Sequence, residues 1–149
     1  MLSEIFQNIG KELLEDLQVK GVNIKKSKIT PGPGKKPAKD AQIRMELLRF
    51  GSVHNHQNMP NTSPSKSIHS FSFFIIAEHT DYTERLELTE LTSDHFDKKP
   101  FIQVKIREHE YEIGLSPLEL SIEEINQFWM AQQKPHCPIL FYQARISEI

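Results

Sequence analysis

The sequence has a single cysteine, Cys137, and no apolar run approaching the roughly 20 residues needed to cross a bilayer. One cysteine excludes an internal disulfide and is typical of a protein made in a reducing compartment. Near the start, Glu4 stands where a secretory signal would have basic residues followed by an apolar segment, so no export signal is expected. We therefore predict a protein that is cytoplasmic at synthesis and has no membrane contact.

The net charge is also small, at −2 for 149 residues. A chain this close to neutral has no bulk electrostatic attraction for nucleic acid, so no nucleic-acid partner is predicted. Hydrophobic residues make up 38% of the sequence, which is enough for one compact domain with its own core. We predict a single domain over residues 1–149.

Catalytic signatures are missing as well. The sequence contains no nucleophile elbow, phosphate-binding loop, dinucleotide fingerprint or zinc-ligand spacing. His136 precedes Cys137, but neighbours in a strand point to opposite faces, so the imidazole is poorly placed to activate the thiol. The sequence predicts no enzyme, no catalytic residue, no metal and no cofactor.

The stretch around which the chain is organised runs from Ser67 to Phe101. It begins with a strand that is apolar on both faces: Phe71, Phe73 and Ile75 fall on one face, Phe74 and Ile76 on the other. A strand of this kind must be covered on both sides, which predicts a position inside a sheet.

A helix is predicted to follow, from Asp81 to about Asp97. Asp81 is the expected N-cap, and Glu84 completes the spacing of a capping box. Pro100 cannot continue the helix.

The apolar residues of this helix fall into two groups on a helical wheel: Tyr82, Leu86 and Phe96 on one side, and Leu88, Leu91 and His95 roughly opposite. One interpretation is a single broad core face with a few exceptions. The other is a helix buried against its own sheet on one side and against another element or subunit on the other.

An amphipathic helix is predicted over residues 2–19, with Ser3 as N-cap and Gly21 at its end. Val22–Ile24 is predicted as a short strand. Two long polar loops then follow, at about 28–42 and 51–67, with Ile43–Phe50 as a strand between them; Ile43, Met45 and Leu47 share one face of that strand.

Both loops contain candidate interface residues. Lys35, Lys36 and Lys39 could bind phosphate, but the glycine spacing does not fit a phosphate loop, which favours an external loop that orders against a partner. His54 and His56 could hold a metal, since alternate residues of an extended chain share a face; the alternative is two solvated histidines. Because the first loop buries little, deleting Thr30–Lys39 is expected to leave the fold intact.

A hairpin is predicted from Phe101 to Leu115, then a helix opened by a capping box of Ser121 and Glu124, and a last strand over Pro138–Ile146. The apolar stripe of that helix is predicted to be Ile122, Ile125, Phe128 and Trp129. Predicted core residues are Phe71, Phe73, Phe74, Trp129 and Phe141. The order α-β-β-β-α-β-β-α-β predicts an α+β fold with a mixed or mainly antiparallel sheet and packed helices.

The C-terminal part of the chain resembles the N-terminal domain of cap, or tail-terminator, proteins of phage-tail-like contractile injection systems. The matching residues are Ser116-Pro117, Leu120-Ser121, Glu124, Phe128-Trp129, Tyr142 and Arg145, and the strand–helix unit from Phe73 to Ile102 is also similar. Phe128 stands where that family has an aliphatic residue, and the two polar loops have no counterpart.

The resemblance implies a tail-terminator-like structural protein. Such a protein forms a ring, a hexamer, on the distal end of an inner tube and sheath, ends polymerisation and anchors the last sheath layer. It would belong to an injection particle that can be released from the cell. The candidate assembly surfaces are Tyr82 and Leu86 of the central helix with the lysines and histidines of the two loops. The alternatives are a cytosolic adaptor or chaperone that binds one partner through its loops, and a small ligand- or metal-binding protein.

Overall fold

The computed structural model describes residues 2–22, 29–31, 42–51, 67–79, 81–132 and 138–149. These residues form three helices and six strands in the order α-β-β-β-α-β-β-α-β, which confirms the predicted order. The helices are α1 (Leu2–Val19), α2 (Tyr82–Lys98) and α3 (Ile122–Gln132), and the strands are β1 (Ile29–Pro31), β2 (Gln42–Gly51), β3 (Ser67–Glu78), β4 (Phe101–Ile106), β5 (His109–Pro117) and β6 (Ile139–Glu148).

The six strands form one sheet in the order β1-β2-β3-β6-β5-β4. Neighbouring strands are antiparallel except β1 and β2, which are parallel. β3 is hydrogen-bonded to β2 on one side and to β6 on the other, so it occupies the predicted interior position. The predicted α+β class with a mainly antiparallel sheet is confirmed.

The period-two pattern of β3 divides the core into two layers. Phe71, Phe73 and Ile75 pack with buried residues of α1 and α2 on one face of the sheet. Phe74 and Ile76 pack on the other face with Trp129 of α3 and with Phe141, in a smaller cluster. Each of the five residues predicted for the core is buried, two in the larger cluster and three in the smaller.

The end of α1 follows from one glycine. Gly21 has φ +85°, and its N–H donates to the Gln18 carbonyl at 3.1 Å, while the Val22 N–H donates to the Leu17 carbonyl at 3.0 Å. These two bonds make a Schellman motif, which ends the helix as predicted. At the other end, the prediction of Ser3 as N-cap was wrong: the helix already includes Leu2, because that side chain packs on the core.

The predicted strand Val22–Ile24 lies outside the described residues except for Val22, which packs on the core just after the left-handed glycine and is not in a strand. The first described strand, β1, lies at Ile29–Pro31, inside the segment that was predicted as the first polar loop. β1 pairs with β2 at the edge of the sheet, in register Thr30 to Arg44.

The caps of the other helices differ from each other. At α3 the capping box is complete: the Ser121 Oγ accepts the Glu124 N–H at 3.2 Å, and the Glu124 carboxylate accepts the Ser121 N–H at 3.4 Å. At α2, Asp81 accepts the Thr83 N–H at 2.9 Å as predicted. The reciprocal bond from Glu84 was predicted wrongly, because the Asp81 N–H donates to His79 Nδ1 at 2.9 Å instead.

Two apolar residues are less buried than their pattern predicts. Ile122 is 78% exposed, so the buried stripe of α3 consists of Ile125, Phe128 and Trp129. Leu47 pairs with Phe73 and shares its face, but it is 43% exposed, and the β2–β3 register shifts just after it, at Leu48.

Candidate assembly surfaces

The side of α2 that is buried contains Leu88, Thr92, His95 and Phe96. Phe96 therefore lies with Leu88 and His95 rather than with Tyr82, and the interpretation as one broad core face describes the helix better. Tyr82 and Leu86 remain 57% and 43% exposed at the edge of that face. They are four residues apart, so their side chains are neighbours on the helix surface.

The outer side of α2 is acidic. Five carboxylates project from it into solvent: Glu84, Glu87, Glu90, Asp94 and Asp97. Glu90 follows Leu86 at the spacing of one helical turn, so it continues the row that Tyr82 and Leu86 begin. The exposed apolar pair thus lies beside a negatively charged surface.

A cavity of about 600 Å³ lies on the opposite face of the sheet. The uncharged polar residues that line it are Ser70, Ser72 and Gln143, and the apolar ones are Leu48, Phe71, Leu118 and Leu120. The segment before α3 is fixed over the sheet because the Leu118 N–H donates to the Phe141 carbonyl at 2.9 Å.

Three charged residues also line this cavity: Arg49, Glu119 and Glu124. Arg49 is paired with Ser72 in the β2–β3 register, so both side chains leave the same face of the sheet. Arg145 leaves that face as well, because it is paired with Ser70. Sequence reasoning did not find this site; its one local signal was the pair Leu47–Leu48, which breaks the alternation of β2.

α1 and α2 meet in a polar contact next to the larger core. His95 is buried, and its Nδ1 lies 3.0 Å from Asp16 Oδ2, which also pairs with Lys20 Nζ at 3.1 Å. Burial lowers the pKa of His95 below its ordinary value of 6.5, although Asp16 opposes that shift. The pKa of Asp16 is lowered in turn: desolvation acts against the shift, but the bonds from Lys20 and His95 outweigh it.

His95 is not placed to act on a substrate. Its Nε2 is buried and has no hydrogen-bond partner among the described residues. A general base needs a nitrogen within reach of the reacting group. The His95–Asp16 pair is therefore a structural contact between two helices.

A second buried charge lies between β2 and β3. Arg44 is 1% exposed, with Glu78 at 3.7 Å and Glu46 at 4.0 Å from its guanidinium nitrogens. Sequence reasoning missed this group, because an arginine between apolar strand residues gives the pattern of a solvent-facing position.

Of the predicted assembly residues, the structure brings together only Tyr82 and Leu86. Lys35, Lys36, Lys39, His54 and His56 lie outside the described residues, as do His136 and Cys137. Within the described ranges, no three His, Cys, Asp or Glu residues are grouped as a metal site requires. Nor does any described helix have the length and apolar character needed to cross a membrane.

Comparison with known proteins identifies a solved structure with a similar fold. No protein-family model matches the chain, and no curated protein matches its sequence. A solved structure does match: the sheath/tube terminator of an extracellular contractile injection system, PVC, determined by cryo-EM in the extended state. The TM-score is 0.58 at 8% sequence identity, and the match covers 95% of this chain and 56% of the terminator chain.

At this identity the similarity establishes the fold alone. It confirms, at the level of the fold, the resemblance to tail terminators that the C-terminal residues indicate. The match extends over nearly the whole chain rather than its C-terminal part only, while the chain spans little more than half the length of the terminator.

Proposed function

We propose that this protein is a structural cap, or tail terminator, of a contractile injection system. The observation that supports the proposal most strongly is the fold match, which covers 95% of the chain. The terminator it matches is named for ending a sheath and a tube. In this proposal the present chain binds the last layer of both polymers and prevents the addition of further subunits.

The described surface suits a binding role. A terminator needs two different faces, one that docks on the polymer and one that does not accept the next subunit. Among the described residues the sheet has such an asymmetry: α1 and α2 pack on one face, while α3 packs on the other, where the cavity beside Leu118 lies. No bond-making chemistry is required of any residue.

The finer features of the proposal are a hexameric ring, anchoring of the last sheath layer, and membership of a particle that leaves the cell. Cyclic symmetry is the usual solution for a closed oligomer, and a ring matches the circular end of a tube. The part played by the two polar loops belongs to the same proposal, with Lys35, Lys36, Lys39, His54 and His56 as contacts to partner proteins.

Removal of the gene from its source organism tests the proposal. Particles made without this chain should have tubes and sheaths of variable length with ragged ends, and wild-type protein supplied from a plasmid should restore a uniform length. The length distribution is measured by negative-stain electron microscopy. Uniform, fully capped particles in the deletion strain would show that the chain has another role, such as that of an adaptor.

A matched variant separates loss of the cap from loss of the protein. Trp129→Ala is expected to destabilise the chain and therefore to behave like the deletion, whereas Met130→Ala alters an exposed neighbour and should restore normal length. Failure of both variants at normal protein levels would mean that the α3 surface itself binds a partner.

A further inference from the structure

We draw no further inference here: the strongest candidate, the cavity of about 600 Å³ on the face of the sheet that carries α3, is lined mostly by polar residues, with Glu119 and Glu124 against Arg49, and nothing among the described residues shows what fills it.

Discussion

Where α1 meets α2, the ionisable side chains of Asp16 and His95 lie beside the larger core. His95 is buried with one nitrogen bonded to Asp16 and the other without an acceptor among the described residues. A neutral imidazole suits this environment, because protonation would add a buried N–H that has no acceptor among the described residues. The stability of the helix pair should therefore depend on pH.

We expect the free energy of unfolding to decrease as the pH falls below 6.5. The pKa of His95 is lowered in the folded state, so the unfolded chain binds its proton first, and acid favours the unfolded chain. The loss continues until the pH passes the folded pKa. Urea denaturation at a series of pH values measures it.

His95→Gln should flatten this pH dependence. Glutamine can still donate to Asp16 but does not titrate. The difference in the free energy of unfolding at about pH 8 therefore reports the packing cost of the substitution, and the difference in its pH dependence below pH 6.5 reports proton binding by His95. If the free energy of unfolding of His95→Gln falls below pH 6.5 as steeply as that of the wild type, His95 is not the titrating group.

The second residue-scale prediction concerns the smaller core. Trp129 is buried against Phe128, with ring centroids 5.4 Å apart, in the cluster that also holds Phe74 and Phe141. Trp129→Ala should reduce the free energy of unfolding by about 3–5 kcal/mol, because it leaves a large cavity. Chemical denaturation measures this.

Ile122→Ala is the control for that variant, since Ile122 is on the same helix but exposed, and its effect should stay within about 0.5 kcal/mol. A normal stability of Trp129→Ala together with loss of capping would instead make Trp129 a contact to a partner.

At the scale of elements, local sequence rules predicted three of the helix ends. Asp81, Ser121 and Gly21 act as expected, whereas Ser3 lies inside α1 and does not cap it. Glu84 does not act as expected either, because His79 is positioned by the end of β3 and takes the Asp81 N–H. Which of the two side chains accepts the Asp81 N–H depends on the position of the end of β3, and the spacing of Asp81 and Glu84 in the sequence gives no information about that position.

This difference predicts unequal effects for two similar substitutions. Glu84→Ala and Glu124→Ala each remove a carboxylate from the first turn of a helix, but only the second also removes hydrogen bonds to the cap residue. Glu124→Ala should cost about 0.5–1.5 kcal/mol more in the free energy of unfolding. Equal losses, measured by chemical denaturation, would mean that the α3 capping box contributes nothing beyond its charge.

The edge strand β1 gives a further test. Deletion of Thr30–Lys39 removes most of β1, yet the antiparallel strands from β2 to β4 keep their pairing, so the fold should survive with a modest loss of stability. Far-ultraviolet circular dichroism and thermal melting check this. An unfolded product would show that β1 and the following residues contribute essential burial.

For the whole molecule, the two-sided apolar pattern of β3 was the most informative feature of the sequence. It requires cover on both faces, and the structure provides α1 and α2 on one and α3 on the other. The bulge at Leu48 and the burial of Arg44 could not be predicted, since each depends on how β2 pairs and packs in the sheet, which its own residue pattern does not show. Leu48, the residue at the bulge, is one of the residues that line the cavity, and the cavity was not predicted either.

The account as a whole holds that this chain ends a polymer through shape and surface contacts. The most direct measurement is a cryo-EM reconstruction of the distal end of particles from the source organism. We predict density for this chain, in a closed ring, on the last layer of tube and sheath. A terminal layer that consists of another protein, with this chain absent from the particle, would contradict the account.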